Sequence, residues 1–179
     1  LVKRFESTNL LSVLPERAGE FWDDLITSFL QREPPIWDFF PSQIDAIRSG
    51  LLTSKKTFSL QMPTGAGKTA LAEILIYREI KTDPDGISVL LVPYRSLASE
   101  LRHSLVERLR NYGFTAFSSY GGTVPDLVEE DVLNQTQAIV ATPESFAGLI
   151  NRTSDFLDRL SLVVVDEGHL LEGGRRGVS

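Results

Sequence analysis

The chain has 179 residues, a net charge of -6 and 42% hydrophobic residues, which fits one globular domain with a sizeable core and excludes a disordered tail. It contains no cysteine, so disulfide bonds and thiolate metal sites are excluded, and nothing in the spacing of its two histidines indicates a zinc site. The mild acidity argues against a protein coated with basic residues for indiscriminate nucleic-acid binding, but it does not exclude a local basic face.

No apolar run approaches the roughly 20 residues needed to span a bilayer, and the N-terminus lacks the apolar centre of a signal peptide. We therefore expect a soluble protein with no membrane partner, located in the cytoplasm, or in the nucleus if the source is eukaryotic. The chain starts without methionine and stops at "EGGRRGVS", just after its richest motif. We expect it to be part of a longer polypeptide.

The N-terminal third predicts helices. Residues 16–31 place apolar side chains at helical spacing, which predicts an N-terminal helix leading into the domain. A second helix is predicted to begin near Pro41 and to end at Gly50, with Ile44 and Ile47 on its inner side.

From residue 57 onward, apolar runs alternate with helical stretches. The predicted strands are 57–62, 87–93, 114–120, 137–142 and 160–167, and the predicted helices are 70–81, 96–113 and 144–150. Residues 89–92 and 162–165 are continuously apolar, which is typical of strands covered on both faces. The pattern predicts an α/β fold, a three-layer sandwich around a mostly parallel sheet, preceded by a short helical segment.

The stretch "QMPTGAGKTA", residues 61–70, indicates a phosphate-binding loop between a strand and a helix. Glycines allow a tight turn that aims backbone N–H groups at phosphate oxygens, and the helix N-terminus adds a favourable dipole. Lys68 would reach the outer phosphates, and the hydroxyl of Thr69 would bind Mg²⁺. The strict pattern requires a glycine where this chain has Met62, and the alternative is an ordinary strand-to-helix turn. The predicted nucleotide-binding residues here are Thr64, Gly65, Ala66, Gly67, Lys68 and Thr69.

The stretch "LVVVDEGH" supplies the acidic half of such a site. A buried strand ending in Asp166 and Glu167 places two carboxylates at the carboxyl edge of the sheet, where open α/β folds bind ligands. Asp166 would hold the Mg²⁺ shell, and Glu167 would orient or deprotonate the attacking water. His169 could hydrogen-bond to the groups that sense the γ-phosphate. The alternatives are an acidic pair that caps the next helix and a histidine with no special role.

Together these stretches resemble the first RecA-like domain of a superfamily 2 helicase of the DEAD/DExH-box group, a P-loop NTPase fold. The resemblance rests on "FFPSQIDAI" (39–47), "PTGAGKT" (63–69), "VPYRSLASE" (92–100), "YGG" (120–122), "ATPES" (141–145) and "DEGH" (166–169). It implies a domain at 37–179, preceded by a helical lead-in at 1–36. The C-terminal tail is similar to that of the Ski2-like branch.

The resemblance implies that ATP and Mg²⁺ are the cofactors, that Lys68, Asp166 and Glu167 are catalytic, and that the amide of Gln43 reads the adenine edge. The residues implied to contact a nucleic-acid backbone are Arg95, Ser96, Gly121, Gly122 and Thr142. The alternatives are a surface salt bridge for Arg95, a plain strand-to-helix turn at Thr142 and an exposed helix position for Gln43. The candidates for an aromatic side chain that stacks on adenine are Trp37, Phe39 and Phe40.

The implied partners are a nucleic acid, either a single strand or a duplex with a strand end, and a second RecA-like domain of the same polypeptide. The tail favours DNA slightly. The second domain would supply an arginine finger, which contributes about 10³ to 10⁵ in rate, so the chain alone is expected to bind ATP and hydrolyse it poorly. Three alternatives remain: the motor domain of a restriction or defence translocase, a non-catalytic ATP-binding switch, and a small-molecule kinase.

Overall fold

The computed structural model describes residues 7–15, 20–63, 65, 67–92, 95–119, 130–151 and 156–166, with the backbone alone at 95–102 and 130–132. Its helices are α1 (Leu10–Val13), α2 (Asp23–Leu30), α3 (Pro41–Arg48), α4 (Lys68–Thr82), α5 (Arg95–Asn111), α6 (Glu130–Gln135) and α7 (Pro143–Ile150). Its strands are β1 (Ile87–Leu91), β2 (Ala116–Ser119), β3 (Ala138–Ala141) and β4 (Leu160–Val165).

The chain divides into two compact units, Leu1–Leu75 and Ile76–Ser179. The boundary predicted between residues 36 and 37 lies inside the first of these units. The assignment of 1–36 as a lead-in and 37–179 as the domain stays a prediction.

Helices α2 and α3 of the first unit follow the predicted pattern. In α2, Leu25 and Phe29 are both 1% exposed, which confirms the helix predicted over 16–31 for residues 23–30. Residues 20–22 form a turn instead, and residues 16–19 lie outside the described part of the chain. Helix α3 begins at a proline, whose fixed φ suits the first helical position, and it buries Ile44 and Ile47 as predicted. A glycine with φ of 96° follows its C-terminus.

Hydrogen bonds connect the start of α1 and the residues before it to the segment before α3. The N–H of Phe39 donates to the carbonyl of Thr8 at 2.9 Å, and the N–H of Leu10 donates to the carbonyl of Trp37 at 3.2 Å. The hydroxyl of Thr8 also donates to Asp38 at 2.9 Å. These bonds tie the two segments together although about 30 residues separate them along the chain.

The second unit contains a four-stranded sheet with the order β2-β3-β1-β4, in which all pairs are parallel. Every residue of β1 and β3 is buried, and because successive side chains of a strand point to opposite faces, both faces of the sheet are covered there. The predicted α/β fold with a parallel sheet is confirmed. In register, Ser119, Ala141, Leu91 and Val165 form one row across the sheet, so the four strands end at the same edge.

Two predictions about strands are wrong. Residues 57–62 form no strand, and Leu60 is 41% exposed: the apolar alternation is present, but this segment has no pairing partner among the described residues. Strand β4 is not covered on both faces, since Val163 and Val165 are each 42% exposed. They share rows with the buried Val89 and Leu91, so their exposure follows from the position of β4 at the edge of the described sheet.

The sequences of the two long helices both contain charged residues. Helix α4 has 15 residues and α5 has 17. Within the described ranges, the structure has no helix with the length and apolar character that a membrane span needs.

Candidate functional site

Two glycines turn the backbone just before α4. Gly65 and Gly67 have φ values of 78° and 76°, in the left-handed region that favours glycine. A Cβ at Gly65 would have no atom within 4 Å, whereas a Cβ at Gly67 would lie 2.5 Å from Nε2 of Gln43. The tight glycine turn predicted from the sequence is present, and Thr64 and Ala66 lie outside the described residues.

Helix α4 begins at Lys68, directly after this turn. Lys68 and Thr69 are both half-buried, and the N–H of Leu71 donates to the carbonyl of Gly67 at 3.1 Å. The first N–H groups of a helix have no partner within the helix, so a helix that starts at this point directs donors and a positive dipole end toward the glycine turn. This arrangement can bind an anion such as a phosphate.

Gln43 joins α3 to the glycine turn. Its Oε1 accepts from the N–H of Phe40 at 2.8 Å, and its Nε2 donates to the carbonyl of Gly67 at 2.9 Å. The side chain is 3% exposed, so the alternative of an exposed helix position is wrong. A primary amide has a second N–H and a second lone pair, so these two bonds leave capacity for a purine edge.

The three candidate stacking aromatics differ in exposure. Phe39 is 4% exposed and belongs to the core, whereas Trp37 is 54% exposed and Phe40 is 52% exposed. A Cβ on Gly67 would lie 3.5 Å from Cδ2 of Phe40, so the Phe40 ring is beside the glycine turn. Among the three, Phe40 is therefore the one shown beside the predicted nucleotide-binding residues.

Asp166 directly follows β4 at the carboxyl edge of the sheet. Its N–H donates to the carbonyl of Leu91 at 2.9 Å, which extends the pairing of β4 with β1 by one residue. This bond places the backbone of Asp166 at this edge, and the residue is half-buried. Glu167 and His169 lie outside the described residues.

The predicted nucleic-acid residues follow three strands that end in the same row. Arg95 and Ser96 open α5, which follows β1, but their side chains are not described, and Gly121 and Gly122 lie outside the described residues. Thr142 is 3% exposed, and its Oγ1 accepts from the N–H of Ser145 at 3.3 Å. The side chain therefore caps α7, which fits the alternative of a strand-to-helix turn. Its nucleic-acid role stays a prediction.

A partly buried ion pair was missed by the sequence analysis. Nη2 of Arg32 lies 2.8 Å from Oε1 of Glu73, whose side chain is fully buried in α4. One signal was present, because a glutamate within the apolar stretch "ALAEILI" indicates a buried charge that needs a partner. Arg32 is 41 residues away along the chain, so no spacing rule could have identified it.

Comparison with protein families and curated proteins gives consistent matches. The model of the DEAD/DEAH box helicase family matches residues 40–178. Hachiman protein HamB of Bacillus cereus is 31% identical over 173 residues, which are 94% of this chain and 15% of that protein. ATP-dependent DNA helicase Hel308 of Methanocaldococcus jannaschii is 30% identical over 141 residues, which are 76% of this chain and 12% of that protein. The chain thus spans less than a fifth of the length of either relative.

Two solved structures share the fold. The crystal structure of the DUF1998 helicase MrfA matches with a TM-score of 0.67 and 21% identity, covering 88% of this chain and 24% of that one. The UvsW helicase from bacteriophage T4 matches with a TM-score of 0.57 and 18% identity, covering 94% of this chain and 60% of that one. These similarities concern the fold alone.

Proposed function

The chain belongs to the DEAD/DEAH box helicase family, and on this premise we propose that it is the ATP-binding lobe of an ATP-dependent nucleic-acid helicase or translocase. The observation that carries the proposal is the turn at Gly65 and Gly67, which leads directly into a helix beginning at Lys68. Positive φ at both glycines and a helix N-terminus are the features that a phosphate cradle requires. Gln43, held against Gly67, is the side chain proposed to read adenine.

The chemistry of residues 64–69 and of Asp166 is suited to binding Mg-ATP. The N–H groups of residues 64–69 would hold the phosphates, and Lys68 would neutralise the outer ones. The hydroxyl of Thr69 and the carboxylate of Asp166 are hard oxygen donors of the kind Mg²⁺ prefers, and we assign both to the metal. Mg-ATP would supply the transferable phosphoryl group and the metal's charge. Glu167 would orient the water and accept its proton.

We propose that the nucleic acid contacts the segments that follow the strands at the carboxyl edge of the sheet. Ser119, Ala141 and Leu91 lie in one row across the sheet, at the ends of β2, β3 and β1. This row supports the proposal, since "YGG", "ATPES" and "VPYRSLASE" each begin at or near the end of one of these strands. Thr142 is buried, so we assign the contact at its turn to backbone groups. DNA is the proposed substrate, because a relative is named an ATP-dependent DNA helicase.

We propose that a second RecA-like domain of the same polypeptide completes the enzyme. An arginine finger contributes about 10³ to 10⁵ in rate in phosphoryl transfer. No arginine of this chain is assigned to that role, so the lobe alone should bind ATP and turn it over slowly. Opening and closing of two such lobes would convert hydrolysis into movement along a strand.

A translocase that moves on duplex DNA without separating its strands is the second candidate. One relative with high coverage of this chain is named Hachiman protein HamB rather than a helicase, so strand separation is not implied by every match. A strand-displacement assay and a triplex-displacement assay on the intact protein separate the two functions. Triplex displacement without strand displacement would favour the translocase.

The test of the proposed ATP site is Lys68→Ala in the intact protein. We expect ATP binding, measured by titration calorimetry, to be lost while circular dichroism shows the fold unchanged. Lys81→Ala is the matched control, because it removes the same charge from the last turn of the same helix. Unchanged ATP affinity in Lys68→Ala would make the phosphate-loop assignment wrong. Absence of any stimulation of ATP hydrolysis by single-stranded or duplex nucleic acid would exclude the helicase and translocase roles.

A further inference from the structure

We propose that Arg32 is a positioning residue for nucleotide binding, which acts through Glu73 on the helix that begins with Lys68. The inference rests on the proposed ATP site and extends it to the N-terminal helical segment, to which the sequence analysis assigned no part in that site. All the contacts that support it lie within the unit Leu1–Leu75.

The first step is the position of Glu73 on α4. It follows Lys68 by five residues, which corresponds to about 7.5 Å along the helix axis at about 1.5 Å per residue. Its carboxylate is fully buried and lies 2.8 Å from Nη2 of Arg32. A directional contact this close to the start of the helix restricts both the rotation of the helix and its movement along its axis.

The second step is that Arg32 is itself held in place. Its guanidinium lies over the ring of Phe29, 4.0 Å from the centroid, and that ring is 1% exposed. Its Nη2 donates to Glu73. Its Nε is shielded from water and makes no hydrogen bond within the described residues. Such a geometry suits a specific, fixed contact better than a mobile surface pair.

The third step is that the same N-terminal portion contacts the phosphate-loop region at a second point. The segment that follows Arg32 leads into α3, whose Gln43 donates to the carbonyl of Gly67. Gly67 precedes Lys68 and Glu73 follows it, so the two contacts lie on either side of the proposed catalytic lysine. A displacement of about 1 Å in a group that positions a substrate can lower a reaction rate about 100-fold, so such groups are sensitive to small shifts. Loss of the second contact should therefore weaken phosphate binding even though Arg32 touches no nucleotide.

The experiment measures ATP affinity of the intact protein by titration calorimetry, well below the melting temperature of every variant. We expect Arg32→Ala and Glu73→Ala each to weaken ATP binding by about tenfold or more, with unchanged circular dichroism. The double variant should be no weaker than either single variant, because both remove the same interaction. Glu73→Gln should bind ATP within about threefold of wild type, since its amide oxygen still accepts from Nη2 of Arg32.

Arg78→Ala is the matched control. Arg78 also lies on α4 and also pairs with a glutamate, Glu79, its neighbour on the same helix. We expect its loss to lower the melting temperature while ATP affinity stays within about threefold of wild type. A similar loss of ATP affinity in Arg78→Ala and Arg32→Ala would mean that any weakening of the helix has this effect, and would overturn the inference.

The remaining outcomes are also decisive. If wild type binds ATP and Arg32→Ala binds it equally well, the positioning role is wrong and the proposed function stands. If wild type binds no ATP, the proposed function and this inference both fail. If Arg32→Ala does not fold, Arg32→Lys decides, because it keeps the charge but loses the planar group over Phe29. We expect Arg32→Lys to weaken ATP binding by about threefold or more, and an unchanged affinity would overturn the inference.

Discussion

Gln43 and Gly67 are joined by a partly buried hydrogen bond of 2.9 Å, from Nε2 of the amide to the glycine carbonyl. The same amide accepts from the N–H of Phe40 at 2.8 Å, so one side chain connects the start of α3 to the turn before α4. These two bonds determine which way Oε1 and Nε2 of the amide point. A change at this position should therefore disturb the turn as well as any contact with the base.

Gln43→Glu is expected to destabilise the fold and to weaken ATP binding. The carboxylate can still accept from Phe40, but it cannot donate to Gly67 and would face that carbonyl oxygen while buried. Such a loss costs about 1–3 kcal/mol in the free energy of unfolding, and ATP affinity should fall by about tenfold or more. Urea denaturation and titration calorimetry measure the two effects.

Gln137→Glu is the matched control for this change. Gln137 has the same bonding pattern, since its Oε1 accepts from the N–H of Thr115 and its Nε2 donates to the carbonyl of Pro84, each at 3.1 Å, but these bonds are exposed. Water can replace a lost hydrogen bond that is exposed. We therefore expect the free energy of unfolding to change by less than about 1 kcal/mol and ATP affinity to stay unchanged. Equal effects of the two substitutions would contradict the role assigned to Gln43.

Gly67→Ala is expected to be more harmful than Gly65→Ala. Both positions need positive φ, which costs an alanine roughly 1 kcal/mol or more. Only at Gly67 would the new Cβ also meet Nε2 of Gln43 at 2.5 Å, whereas space is open at Gly65. In thermal unfolding, Gly67→Ala should therefore have a lower melting temperature than Gly65→Ala. A lower melting temperature for Gly65→Ala would show that the turn is held differently.

The helices and the central strands could be predicted because their signals are local. Pro41 at a helix start and Ile44 and Ile47 on one helix face are read directly from sequence, and both sequence features are found in α3. Pairing between strands is not local. The segment 57–62 has the alternation of a strand yet forms none, and the apolar run of β4 did not reveal that this strand lies at the edge of the described sheet.

The same limit applies to the candidate site. The spacing of Gly65, Gly67 and Lys68 predicted a turn that opens a helix, because the conformational preference of glycine is a property of the residue itself. The partners of Gln43 and Glu73 depend on how distant segments meet. The sequence assigned Gln43 an adenine role, but it did not show that the amide also holds Gly67, 24 residues later.

Asp166→Asn is expected to make ATP binding less dependent on Mg²⁺. The neutral amide is a weaker ligand for a hard cation than a carboxylate, so the gain in affinity that Mg²⁺ gives wild type should shrink. Titration of ATP with and without a chelator measures this difference. The control is Asp158→Asn, which removes the same charge from an exposed position in the turn before β4. If the dependence on Mg²⁺ is unchanged in Asp166→Asn, this carboxylate is not a metal ligand.

Arg159→Ala is expected to lower stability without affecting the proposed site. The guanidinium donates to three backbone carbonyls at the amino-terminal edge of the sheet, those of Asp85 at 2.9 Å and of Leu133 and Thr136 at 3.1 Å each. Together these bonds should contribute about 3 kcal/mol to the free energy of unfolding, measured by urea denaturation. Arg159→Lys should recover only part of it, because one ammonium group cannot reach three carbonyls in fixed directions.

Arg110→Ala provides the comparison for Arg159. Arg110 donates to one carbonyl, that of Ala116 at 3.0 Å, and its side chain is 53% exposed. We therefore expect Arg110→Ala to lower the free energy of unfolding by less than about 1 kcal/mol. Asp166 follows the carboxyl end of β4 whereas Arg159 precedes its amino end, and six residues of strand extend about 20 Å. Mg²⁺-dependent ATP binding should therefore be the same in Arg159→Ala and wild type under conditions where both are folded. A weakened dependence on Mg²⁺ in Arg159→Ala would show that the amino-terminal edge of the sheet controls the position of Asp166.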